Sequence, residues 1–127
     1  MSKKIIKSEQ APLPIGPYSQ AVRVGNTLFC SGQVALDPQS GNLVLDNITS
    51  ETRQVMENLK AVLEEAEMEF SNVVKCSIFI KDMNDFKELN AVYGEYFKTE
   101  HPARETVQVA ALPLNVNVEI SLIAIKD

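Results

Sequence analysis

The sequence predicts an α+β fold, a mixed β-sheet with two α-helices covering one face. Three observations predict it. Short apolar runs separated by Gly-Asn, Asp-Pro and Leu-Pro breakers read as strands. Two longer segments repeat their apolar residues every three or four positions, the period of an amphipathic helix. The order in which these types follow one another, strands first, then helix, strand, helix and two final strands, describes an α+β layer.

The first strands are Ala21-Val22-Arg23-Val24 and Thr27-Leu28-Phe29-Cys30-Ser31, flanking Gly25-Asn26, a two-residue connection suited to positive φ. Val34-Ala35-Leu36 and Leu43-Val44-Leu45 flank a second turn, Asp37 to Asn42, whose tip should be exposed. Between Thr49 and Phe70 the positions Val55, Met56, Leu59, Val62, Leu63 and Ala66 form an apolar stripe, with Asp46 or Asn47 as N-cap. Val73 to Lys81 alternates as a strand with Val74, Cys76, Ile78 and Ile80 on one face. The second helix runs from about Asn84 to Lys98, faced by Phe86, Leu89, Tyr93 and Phe97, and Pro102 forbids its continuation. Gly94 within it marks a candidate close contact. Arg104 to Ala110 and Val116 to Ile125 are the last strands. A sheet covered on one side leaves apolar positions such as Val24, Leu28, Ile123 and Ile125 in need of shelter. Self-association is the simplest cover, with tolerated exposure as the alternative.

At 127 residues the chain has the length of one domain, here 1–127, and 45% apolar with 23% charged residues is ordinary globular usage. The formal net charge of -5 and the absence of a lysine or arginine run argue against nucleic acid as the main partner. No apolar stretch reaches the ~20 residues of a membrane span, and the start Met-Ser-Lys-Lys lacks a signal-peptide core, so the expected location is cytoplasmic, or an organelle matrix. Cys30 and Cys76 sit in strand runs, as buried reduced thiols would. One histidine, His101, at a helix end before Pro102, and no ligand-spaced cluster leave no metal site to build. No Ser/His/Asp set and no phosphate-cradling glycine loop can be assembled.

The candidate chemistry therefore falls on the last strands. Alternation puts Arg104 and Thr106 on one face of their strand and Glu119 and Ser121 on one face of theirs. If the two strands pair as a hairpin about Pro113, these four residues form one polar patch. The arginine fork binds a carboxylate through two parallel hydrogen bonds, and a nearby glutamate orients or deprotonates a water. A ligand-free Arg104–Glu119 salt bridge is the default alternative. Tyr18, after the Gly16-Pro17 turn, and Ser31-Gly32, at a strand end, are weaker candidates, because taken singly such a tyrosine is more often a packed core edge and such a Ser-Gly more often a strand bend.

Several ordered segments carry a resemblance: Ile15-Gly16-Pro17-Tyr18-Ser19-Gln20-Ala21, Phe29-Cys30-Ser31-Gly32-Gln33, Asn58 to Ala66, Asn90-Ala91-Val92-Tyr93, Pro102-Ala103-Arg104 and Val118-Glu119-Ile120. Together they resemble the reactive intermediate deaminases, the Rid family, which also carries the names L-PSP endoribonuclease and translation inhibitor. The resemblance implies a chorismate-mutase-like fold, a homotrimer with pockets between subunits, and cofactor-independent hydrolysis of 2-imino acids or enamines, such as 2-iminobutanoate and 2-iminopropanoate, to 2-oxo acids and ammonia. It implies that Arg104 clamps the substrate carboxylate, that Glu119 positions or activates water, and that Tyr18, Ser31, Gly32 and Thr106 line the pocket. Two residues depart from the common pattern, Glu105 directly after the arginine and Thr106 in place of a cysteine. Glu105 is expected on the opposite strand face; turned toward Arg104 it would compete for the guanidinium. An endoribonuclease that inhibits translation and a non-catalytic module that binds a 2-oxo acid are the alternative functions.

Overall fold

The computed structural model describes residues 2–127, and they form a six-stranded mixed sheet with two helices. The strands are β1 (Lys4–Ile6), β2 (Ala21–Val24), β3 (Thr27–Gln33), β4 (Val73–Ile80), β5 (Ala103–Gln108) and β6 (Val118–Ile125), in the order β1-β2-β3-β6-β4-β5. The helices are α1 (Ile48–Glu65) and α2 (Phe86–Tyr96). All neighbours are antiparallel except β4 and β5, which are parallel and joined through α2.

The β2–β3 hairpin turns at Gly25-Asn26 as expected, with only Gly25 at positive φ, 60°. The second turn is weaker than expected, since Leu36 and Leu43 form a single bridge rather than paired strands. Asn47 caps α1, its side chain accepting the Ser50 N–H at 2.8 Å. The helix ends at Glu65, five residues before the expected limit of Phe70; Glu67 then takes φ 60° and a 3-10 turn, Phe70–Asn72, leads into β4.

The helices cover one face of the sheet, and the core lies between them. In cross-strand register, Ala21, Cys30, Leu122, Cys76 and Arg104 form one row on that face, and Ile120, Ile78 and Thr106 form the next. Cys30 and Cys76 are buried and reduced, and burial pushes the Cys30 thiol up to about 12.

The other face is bare. It carries Val22, Val24, Phe29, Ile123, Phe79 and Val107, with Phe29 48% exposed. Leu28, expected on this side, is wholly buried under the helices, because Phe29 rather than Leu28 falls on the odd phase of the hairpin. Val74 is likewise displaced: a register shift between Val73 and Lys75 turns Val73 into the core and leaves Val74 43% exposed. A Cβ on Gly94 would meet nothing within 4 Å, so that glycine is not a packing contact within the chain.

Candidate functional site

The sheet order overturns the expected hairpin between the last two strands. β5 and β6 do not pair; β4 lies between them, parallel to one and antiparallel to the other. Arg104 and Thr106 consequently face the helices, level with Cys76 and Ile78, whereas Glu119 and Ser121 face the bare side, level with Phe79 and Ser77. Two strand spacings, roughly 9–10 Å, and the thickness of the sheet separate the groups. The single polar patch is not formed, and neither is an Arg104–Glu119 salt bridge within the chain. The ion pairs among the described residues are Arg53–Glu95 and Lys75–Glu105. Helix α2 intervenes before β5 and returns the chain parallel to β4 at the sheet edge, leaving β6 to fill the position between β3 and β4.

Around Arg104 the site is an edge-strand cation backed by aromatic rings. The guanidinium carbon lies 4.9 Å from the centroid of Tyr93 and 5.6 Å from that of Phe86, both on α2. Such contacts hold a guanidinium in place without consuming its N–H donors, and among the described residues no side chain or carbonyl accepts from them. Of four buried side-chain polar atoms without a hydrogen-bond partner among the described residues, one is Thr52 Oγ1 in α1, and the other three belong to this strand face and to α2: Thr106 Oγ1, two residues along the same strand face, and Asn90 Oδ1 and Tyr93 OH, on the α2 stripe that also carries Phe86. Burial pushes the Tyr93 hydroxyl well above the usual phenol range. Thr106 is thus where a ligand lying along Arg104 would meet a hydroxyl. Phe86 and Tyr93 were legible in the sequence as helix-stripe residues, and Asn90 only within the segment Asn90-Ala91-Val92-Tyr93 that carries the resemblance; the signal that separates Asn90 and Tyr93 from core is the uncompensated polar atom, which periodicity does not reveal.

Glu105 is on the opposite strand face from Arg104, as expected. Its carboxylate accepts from the Ser77 hydroxyl and pairs with Lys75 at 3.0 Å. These contacts, that with Ser77 foremost, hold its carboxyl below the usual range. It is therefore engaged elsewhere and does not compete for the Arg104 guanidinium.

Tyr18, Ser31, Gly32 and Glu119 are brought together, lining a cleft of about 360 Å³ with Ile15, Val34, Pro113 and Leu114. A register shift in β3 between Cys30 and Gln33 sets Ser31 and Gly32 off the regular ladder. Gly32 leaves room for the glutamate: a Cβ there would lie 2.8 Å from Glu119 Cδ and 2.9 Å from Cγ. Glu119 is half-buried, and burial raises its carboxyl above the usual range. The Ser31 hydroxyl donates to Ser19 O at 2.6 Å, and the Ser31 N–H donates to Gln20 O at 2.9 Å. Ser31 therefore fastens the segment that carries Tyr18 and spends its donor there, leaving a lone pair for a ligand. The Gln20 amide extends this bracing, donating to Ser8 O and Pro12 O at 3.0 and 2.8 Å.

Glu51, which the sequence did not single out, fixes the start of β6. Fully buried in the first turn of α1, it accepts from the Asn117 N–H, the Asn117 Nδ2 and the Val118 N–H at 2.7, 2.8 and 3.1 Å. The backbone one residue before Glu119 is thereby anchored to the helix layer. His101 is exposed and joins neither group. No group of three His, Cys, Asp or Glu residues among the described residues is placed to hold a metal ion, and no helix there is long and apolar enough to cross a membrane.

The chain is closely similar to known proteins over its length. The family model described as "Endoribonuclease L-PSP" matches residues 8–126. A RutC family protein of Pyrococcus horikoshii is 50% identical over 98% of this chain and 99% of its own. The 2-iminobutanoate/2-iminopropanoate deaminase of Mus musculus is 48% identical over 98% and 92% of the two chains. The crystal structure of Escherichia coli TdcF with bound serine superimposes with a TM-score of 0.94 at 38% identity, covering 98% of this chain and 99% of that one. With the α+β sheet, the glycine-floored cleft and the ring-backed arginine in place, the chain belongs to the Rid family, whose family model carries the L-PSP endoribonuclease description.

Proposed function

We propose that the protein hydrolyses reactive 2-imino acids, or their enamine tautomers, to 2-oxo acids and ammonia, in pockets formed where Arg104 of one copy meets the Glu119 cleft of another. The observation that carries this reading is the unpaired guanidinium of Arg104, held on Tyr93 and Phe86 while the adjacent carboxylate of Glu105 is tied to the other face. A planar cation with its donors unspent fits a small carboxylate. The mouse relative is named a 2-iminobutanoate/2-iminopropanoate deaminase, and TdcF is described with bound serine, an amino acid with the same carboxylate.

Because Arg104 and Glu119 lie on opposite faces of one chain, the reading requires a second copy, and the apolar bare face supplies a surface for it. A closed trimer with three equivalent pockets, the assembly that the family resemblance implies, would supply that second copy at every pocket. In the pocket, Arg104 holds the carboxylate and a water attacks C2 of the protonated imine. Glu119 accepts a proton from that water and returns it to nitrogen; it then takes the proton of the C2 hydroxyl as the C–N bond breaks, so that the C2 carbonyl forms, ammonia leaves, and the departing ammonia carries that proton away from Glu119 as ammonium. Burial raises the Glu119 carboxyl, and a higher proton affinity favours its taking a proton from water. The iminium carbon is already electrophilic, so no cofactor is called for.

Mixing two inactive variants tests the activity and the shared pocket together. Arg104→Ala and Glu119→Gln are each expected to lose activity in a coupled assay that follows decay of freshly generated 2-iminobutanoate. After co-refolding at equal amounts, about a quarter of the pockets pair an intact arginine with an intact glutamate, and about a quarter of the wild-type rate returns. If no rate returns although the subunits have mixed, both residues act from one chain and the shared pocket is wrong. If the wild-type protein does not accelerate imine decay, the enzymatic reading is wrong.

A further inference from the structure

The turn before β6 holds a side chain in a conformation that folding alone does not favour. Leu114 and Asn115 both adopt left-handed backbone, with φ 59° and 54°. Asparagine tolerates this region, but in leucine the Cβ crowds the following carbonyl, and glycine or asparagine is the residue that fits. Leu114 gains no core contact in compensation, being 48% exposed. Instead it lines the cleft of Tyr18, Gly32 and Glu119, where it joins Ile15 and Val34, and Ile15 is itself 68% exposed. A strained residue at a cleft that gains nothing for the core is the pattern expected of a functional constraint.

We infer that Leu114 is a specificity-determining residue, forming with Ile15 and Val34 an apolar wall that receives the side chain of an aliphatic 2-imino acid and favours chains longer than one methyl group. The inference rests on the function proposed above for the reacting end of the substrate and adds which substrates the site prefers. With the carboxylate drawn to Arg104 and C2 beside Glu119, Tyr18 and Ser31, the part of the cleft lined by Ile15, Val34, Pro113 and Leu114 is apolar. Its volume of about 360 Å³ leaves room beyond a methyl group. The turn matters because Leu114 is held there by backbone conformation: Pro113 fixes the entry and Val116 is buried at the exit, so the wall has a set position.

The test measures binding of the 2-oxo acid products to the full chain by titration calorimetry, so that it does not depend on turnover. The probes are 2-oxopropanoate, 2-oxobutanoate, 2-oxopentanoate and 2-oxo-4-methylpentanoate. For the wild type, affinity should climb about three- to fourfold for each added methylene. In Leu114→Gly and Leu114→Asn, both suited to left-handed backbone, the climb should fall below about twofold per methylene, with 2-oxopropanoate bound within about twofold of wild type and the melting temperature unchanged or higher. Leu114→Met, which conserves volume, should retain the climb. A climb equally steep in Leu114→Gly, a flat wild-type series, or no binding of any probe overturns the assignment. If the wild-type climb is found and lost in Leu114→Gly but no imine is hydrolysed, Leu114 keeps its role and the deaminase reading fails.

Discussion

The Glu119 cleft and the Arg104 edge are built by opposite means. Glu119 lies on the bare face of the sheet against a glycine, half withdrawn from water and without a hydrogen bond among the described residues, and its carboxyl is raised by burial alone. Arg104 lies on the helix face of the edge strand, seated on two rings, close to polar atoms that have no partner. The difference teaches what each half is suited to. A carboxylate that moves protons is helped by poor solvation, because its affinity for a proton then approaches that of its partners. A cation that orients a carboxylate is helped by a fixed plane with its donors left unspent.

The largest effect should come from the fixed cation. On the proposed function, Arg104→Ala removes a charge-assisted, two-pronged contact with the substrate and is expected to lower kcat/KM for 2-iminobutanoate by roughly 10²–10³-fold, the scale of truncating one partner of a desolvated charge pair. Arg104→Lys keeps the charge and loses the fork, so at least tenfold of that loss should persist. Thermal unfolding checks the cause: ring-cation contacts are worth about 0.5–2 kcal/mol, so the melting temperature should fall by no more than about 10 °C. A variant that unfolds instead would move Arg104 from the site to the scaffold.

A smaller effect, roughly ten- to a hundredfold, should follow from disturbing the glutamate without replacing it. Gly32→Ala puts a Cβ where Glu119 Cγ and Cδ now lie, and a displacement of about 1 Å at a reacting group costs up to 10²-fold. The sign of the accompanying pH change is fixed by the cause of the shift. Burial raises the Glu119 carboxyl, so pushing it toward water lowers it, and the acid limb of the pH–rate profile should move to lower pH in Gly32→Ala. An acid limb that stays in place, measured with 2-iminobutanoate across pH 4–8, would detach that limb from Glu119.

The sequence made the elements legible because their periods differ: the α1 stripe from Val55 to Ala66 and the alternation of Cys76, Ile78 and Ile80 in β4 both appear as read. It hid the strand order. Alternation assigns faces within a strand but not the identity of its neighbour, so Arg104 and Glu119 could be placed on a common patch when β4 in fact divides them. It also hid the register shift at Val73–Lys75, since adjacent valines satisfy either phase, and the part played by Glu51, whose partners lie 66 and 67 residues away. Glu105 was the opposite case: its strand phase alone placed it away from Arg104, and Lys75 and Ser77 account for where its charge goes.

That placement of Glu105 yields the smallest expected effect. Glu105→Gln removes the charge beside Arg104 in sequence but not beside it in space, so affinity for a 2-oxo acid should stay within about twofold, at protein concentrations where the state of association is unchanged. Were the carboxylate competing for the guanidinium, its removal would free a charge-assisted contact worth about 1.5–3 kcal/mol and tighten binding by more than tenfold. Lys75→Gln separates the two cases further. With its ammonium gone, Glu105 still accepts from Ser77 across the strand pair, and the bare face keeps it from Arg104, so ligand affinity should again be unmoved. A rise in affinity in Glu105→Gln together with a fall in Lys75→Gln would show that the two faces communicate through β5, and the separation of the cation from its neighbouring carboxylate would then be a matter of balance between partners rather than of strand geometry.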